Sequence, residues 1–210
     1  EKLDLYEKAL DSMLSAVRTA ELEEYKPKEN WYVLMAACYS ELSSRIGKEE
    51  SLYKQLDIYE ILVNLYPKKM YFIQLGGIYG QLNRELDYMI TLNAAYQKDL
   101  LDKESEYLAL TQLLLLNNNP YWAAKVLEAG RIKKVPVIDE KTKEEKILPV
   151  VKDNEKNLKL LADAWRMAQE IELAIPIMEK AARLAKDGQT FIILGSPVSY
   201  THLTLPTTLV

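Results

Sequence analysis

The chain has 210 residues, 49% of them hydrophobic, with 7 glycines, 8 prolines and a formal net charge of −4. Such a chain can bury one sizeable core, is too apolar to be disordered, and is poor in helix breakers. The acidic balance excludes the basic face of a nucleic-acid binder. The single cysteine, Cys38, excludes an intrachain disulfide or a zinc cluster, and no uncharged apolar run of about 18 residues offers a membrane span.

The first element is a helix over residues 5–22. Its Ala9, Met13 and Ala16 have the spacing of a second helix, so it reads as half of an earlier unit. Stripes then recur in one phase. In a unit at about 29–67, Tyr32, Met35, Ala36 and Tyr39 form the stripe of a first helix. Its second helix comes late, with Tyr59 and Leu62 before Pro67, and "SSRIGKEESLYKQ" reads as a lengthened inter-helix turn. At 69–102 the stripes are Phe72, Leu75, Gly76, Tyr79 and then Tyr88, Leu92, Ala95. At 104–135 they are Tyr107, Leu110, Thr111, Leu114 and then Ala123, Leu127, Gly130. Asn119 reads as the N-cap before Pro120, and Gly130 as the end of that helix. "KVPVIDEKTKEEKILPVV" departs from the pattern. Its β-rich ends predict a small hairpin at about 134–151, edge-like because of Pro136 and Pro149, around a solvated charged turn. At 155–188 the stripes return as Leu158, Leu161, Ala162, Trp165 and then Ala174, Met178, Ala181. Glu172 stands at the expected cap of the second helix, a weak capping residue, so that end is expected to fray before Pro176. A further unit starts at 189–195, with Phe191, Leu194 and Gly195, and is cut by Ser196 and Pro197 in mid-helix.

Small residues recur at fixed places. Ala36, Gly76 and Ala162 fall where a first helix meets its second, and Ala95, Gly130 and Ala181 where neighbouring units touch. This pattern resembles the tetratricopeptide repeat (TPR): aromatic, two residues, Leu-Gly, two residues, Tyr, then Ala, three residues, aromatic, then Pro. "FIQLGGIY" and Pro67 are its closest matches. The resemblance implies an all-α fold, a TPR-type α-solenoid of antiparallel helix pairs over residues 1–195, expected to be truncated at both ends because the chain opens on Glu1 and stops within a helix.

No charged residue follows Asp187, and the sole histidine, His202, lies beyond it. "VSYTHLTLPT" at 198–207 resembles a translation of the transposon-end adapter used in preparing sequencing libraries. Residues 196–210 therefore read as a non-native tail. With His202 set aside, no histidine remains for a triad or metal site. Cys38 reads as a packed core thiol, and "LGGIYG" lacks the ending of a phosphate loop. No catalytic residue, cofactor or metal site is expected.

The segments "YKPKENWYVLMAA", "YEILVNLYPKKMYFIQLGGIYGQL", "LLLNNNPYWAAKVLE" and "VVKDNEKNLKLLADAWRMAQEI" are similar to TPR proteins associated with TonB–ExbB–ExbD systems of marine gammaproteobacteria. That resemblance implies a non-enzymatic scaffold or adaptor, an accessory of energised transport. It implies a periplasmic location, with any signal peptide in a missing N-terminus; the alternative location is cytoplasmic. The implied partner is a protein or peptide of the transport complex, with no nucleic acid and no membrane insertion of this segment. Two other readings stay open: a self-assembling structural or assembly factor, and an α-helical enzyme whose site lies in missing ends. The phase points residues one and five places beyond each small landmark of the first helices into a groove. These are Ala37 and Glu41, Gly77 and Gln81, Gln112 and Leu116, and Asp163 and Met167, joined by Leu115 and Arg166. The alternative is that they face solvent or another helix.

Overall fold

Each first helix starts the same way, after one extended residue. Lys28, Lys68, Lys103 and Asn154 precede helices α2 (Glu29–Glu41), α5 (Lys69–Gln81), α7 (Glu104–Leu116) and α9 (Glu155–Met167). The computed structural model describes residues 1–138 and 143–185. Three first helices also end alike. Asn83, Asn118 and Gln169 take the left-handed conformation, and the next N–H reaches back five residues, Arg84 to Tyr79, Asn119 to Leu114 and Glu170 to Trp165, at 2.8–2.9 Å. This closure satisfies orphan carbonyls and reverses the chain within three residues. The short links put the second helices, α6 (Glu85–Gln97), α8 (Pro120–Ile132) and α10 (Ile171–Leu184), antiparallel against their partners.

The chain divides into two compact units, Glu1–Leu101 and the residues from Asp102. In the first, α1 (Lys2–Leu22) packs on α2, and α2 on α4 (Lys48–Leu65). One core joins Leu10, Val17, Tyr32, Met35, Ala36, Ile58, Leu62 and Tyr71. The stripe expected on α1 is corrected. Ala9 is exposed; Leu10, Val17 and Ala20 are buried, and half-buried Met13 packs on the same core. Larger side chains took the interior. The helix end confirms the phase: Glu24 is left-handed and Tyr25 N–H bonds to Ala20, as Leu100 bonds to Ala95 after Asp99.

The lengthened turn of the first unit is also corrected. Its residues form a short helix, α3 (Ser43–Ile46), and the extra turns of α4. Gly47, at φ 94°, makes the break that lets α4 begin early. Leu52 and Leu56 extend its apolar stripe upstream and pack with Leu75, Ile78 and Tyr79. Ser51 is buried and donates to the Tyr39 carbonyl at 2.7 Å.

In the second unit Tyr107, Leu110, Ala123, Leu127, Leu158, Leu161, Ala162, Trp165 and Ala181 are buried. Gly130 lies inside α8 rather than ending it. A Cβ there would come within 2.6 Å of Val151 and 2.7 Å of the Tyr107 ring. Gly76 matches it in the first unit, 2.7 Å from the Tyr88 ring, whereas Gly77 faces open space and needs no packing explanation. Asn119 occupies the cap of α8 without a side-chain cap bond. The first helix whose cap side chain bonds is α9, where Asn154 accepts from Asn157 N–H at 2.9 Å. α10 starts after Glu170, not at Glu172. Glu172 sits in its first turn, favourable to the helix dipole, and the helix continues through Pro176.

Strands β1 (Lys134–Ile138) and β2 (Glu145–Pro149) pair antiparallel, with Val135 opposite Leu148 and Pro136 opposite Ile147. Val150 N–H bonds to the Lys133 carbonyl in the same register, so Val135–Leu148 and Val137–Lys146 are the hydrogen-bonded pairs. Pro136 and Pro149 fall in the alternate pairs, with their nitrogens on the two outer edges. Both strands are largely exposed, and the hairpin is anchored by buried Val150 and Val151. The turn core at 139–142, the unit start at 189–195 and the tail at 196–210 lie outside the described residues.

Candidate functional site

The expected groove residues divide between the two units. In the first unit, Ala37 and Glu41 are exposed on α2, and Gly77 and Gln81 on α5. Glu41 lies 3.5 Å from the Lys2 ammonium, and the Gln81 amide turns back to the Gly77 carbonyl at 3.4 Å. In the second unit, Gln112 and Leu116 are exposed on α7 while Leu115 is half-buried. On α9, Arg166 and Met167 are exposed and Asp163 is half-buried. Asp163 and Arg166 are brought together as an i,i+3 ion pair at 3.0 Å, so each neutralises the other.

Sequence reasoning missed a brace at the opposite ends of these helices. Glu29, first residue of α2, accepts from Lys68 at 2.7 Å and from the Tyr71 hydroxyl. Glu104, first residue of α7, accepts from the Asn157 amide at 2.7 Å and from Lys152 N–H at 3.0 Å. Both glutamates stand three residues before a buried tyrosine, Tyr32 or Tyr107. Tyr71 and Asn157 each stand one residue before the next landmark, Phe72 or Leu158. That spacing was the available signal. Lys68 and then Tyr71 hold the Glu29 carboxyl below its usual range. Burial and then Glu29 push Tyr71 up to about 12. Tyr79 is likewise raised by burial and by its bond to Glu60 at 2.5 Å.

Two further clusters stand in the second unit. Asp153 accepts from Arg131 and Lys180, which hold its carboxyl down at about 2. Buried Trp165 donates to Glu128 at 3.2 Å. The first unit contains a cleft of about 520 Å³ lined by Ala16, Thr19, Glu23, Tyr25, Lys28 and Trp31. Cys38 is buried, and burial pushes its thiol up, away from reactivity. Among the described residues no group of three or more His, Cys, Asp or Glu is placed to hold a metal ion, and no helix is long and apolar enough to cross a membrane.

Helix pairs with small-residue contacts, closed by left-handed turns, define a TPR-type all-α fold with one small hairpin. Among solved structures, the chain is similar to YrrB, described as a TPR protein with an unusual peptide-binding site. The TM-score is 0.54 at 13% identity, over 89% of this chain and 84% of that one. It is also similar to MamA residues 41-end from Desulfovibrio magneticus RS-1, with a TM-score of 0.47, 17% identity, and 80% and 85% covered. A third is TTC0263, a thermophilic TPR protein of Thermus thermophilus, at 0.40 and 14%, with 92% and 99% covered. The likeness to YrrB carries the fold; the other two scores carry no argument. No family model and no curated protein matches the chain.

Proposed function

We propose that this protein is a non-enzymatic scaffold that binds a protein or peptide through its first-helix faces. One observation carries the reading. The landmark residues are buried while the residues just beyond them, Ala37, Gly77, Gln112, Leu116 and Met167, stand in solvent. A helix pair needs none of these to pack, and Gly77 has open space where a side chain would begin. Such faces suit an extended or helical segment. On the second unit Leu116 and Met167 are the apolar anchors and Gln112 and Arg166 set the register; on the first unit Gln81 is the polar contact of its own face. Peptide binding is the role attributed to the similarly folded YrrB.

The finer assignment rests on the family resemblance in the sequence: an accessory of a TonB–ExbB–ExbD complex, working in the periplasm. The test is capture of that complex by the full-length protein and by a Gln112→Ala, Arg166→Ala variant, with helical content measured alongside. Lost capture with retained helicity supports the face. Unchanged capture removes it, and absence of capture by the wild type removes the TonB assignment.

A further inference from the structure

One end of the helix pairs in the second unit gathers exposed apolar side chains. α7 and α9 finish there on Leu116 and Met167, and α8 and α10 begin there with Tyr121, Trp122 and Leu173. Leu116 is 69% exposed, Trp122 55% and Met167 52%. The same repeat position as Leu116 and Met167 holds Glu41 and Gln81 in the first unit, so the fold does not require apolar residues there. An aromatic row leads from core to solvent. Tyr121 stands edge-on to buried Trp165 at 5.6 Å between ring centroids, and Trp122 edge-on to Tyr121 at 6.0 Å.

Lys125 sits one turn along α8. Its ammonium lies 5.3 Å from the Trp165 centroid and 5.7 Å from that of Tyr121. Among the described residues no carboxylate forms an ion pair with it. The two rings attract the cation without neutralising it. A cation with no ion-pair partner among the described residues, beside an exposed tryptophan, is complementary to a carboxylate carried on an apolar segment. Among the described residues, helix ends meet at this place and offer no strand edge for an extended chain to pair with. The complementary shape is an amphipathic helix.

We propose that this end of the second unit docks an amphipathic helical peptide whose apolar stripe covers Trp122, Leu116 and Met167 and whose carboxylate meets Lys125. The proposal rests on the reading of the chain as a peptide-binding scaffold and names the partner's chemistry.

The probe is a labelled synthetic helix with a leucine stripe flanked by glutamates; its control carries lysines in their place. Fluorescence anisotropy gives both affinities. The glutamate peptide should bind roughly tenfold more tightly than the control, and Trp122→Ala should weaken it by roughly tenfold. Lys125→Glu, an exposed charge swap, should reverse the preference between the peptides. Circular dichroism checks that both variants stay folded. No binding, equal binding of both peptides, or indifference to Lys125→Glu overturns the proposal. If Gln112→Ala with Arg166→Ala abolishes binding while the Trp122 and Lys125 variants leave it intact, this proposal falls and the first-helix face stands. Self-association of the wild type that Trp122→Ala abolishes would put a second copy on the patch and also overturn it.

Discussion

Asp153 ties three elements of the second unit together. It lies between β2 and α9, and its carboxylate takes Arg131 at the end of α8 and Lys180 of α10. These partners lower its pKa from 3.8 to about 2, so the folded state holds the charged form more tightly than the unfolded chain does. The contribution is present above the unfolded value and is lost as pH falls through the folded one. The side chain is about a third exposed, so solvent screening reduces its worth to about 1 kcal/mol. Asp153→Asn should lower the denaturation midpoint accordingly at neutral pH. The gap to the wild type should close between about pH 4 and pH 2. A gap that persists in acid would show that the substitution acts through packing, not charge.

At the scale of elements, the hairpin shows how an exposed ladder avoids joining others. Its two outer edges each carry one proline nitrogen at a position that would otherwise donate outward. Pro136→Val with Pro149→Val should restore those donors and produce concentration-dependent oligomers by light scattering. A variant that keeps the wild-type mass would show that the edges are protected by something else. The hairpin was legible from its β-rich ends, because alternation and proline are local signals. The first-helix stripes were legible for the same reason: Tyr107, Leu110 and Trp165 are large and periodic. The phase of α1 was not, because alanine is common on both faces of a helix and the deciding signal, Ala20 accepting from Tyr25, is a backbone bond. The extra turns of α4 were missed because the polar run before Leu52 resembles a loop in composition. The Glu29 and Glu104 braces join residues 42 and 53 apart in sequence, beyond any local pattern.

Across the described residues, one phase orders two classes of residue: small or large landmarks that close the helix pairs, and the neighbours just beyond them that the packing leaves outside the core. Ala162→Leu and Ala181→Leu should therefore each cost about 1–3 kcal/mol, since both positions are fully buried in the second unit. Matching urea midpoints for these variants and the wild type would show that the sites can expand. Deleting residues 196–210 should leave the thermal midpoint unchanged, because they carry no landmark; a clear loss would make them part of the fold. The candidate face was legible only as positions, not as contacts; the Asp163–Arg166 pair and the back-turned Gln81 amide needed coordinates. The phase itself is tested most directly by the urea midpoints of Gly76→Ala and Gly77→Ala, adjacent changes of one methyl in one helix. At Gly76 the new Cβ would press on the Tyr88 ring, and the variant should lose about 1–3 kcal/mol. At Gly77 it meets nothing, and the better helix former should gain about 0.5–1 kcal/mol. Opposite signs are the predicted result; a loss at both sites, or a loss at Gly77 alone, would contradict the account.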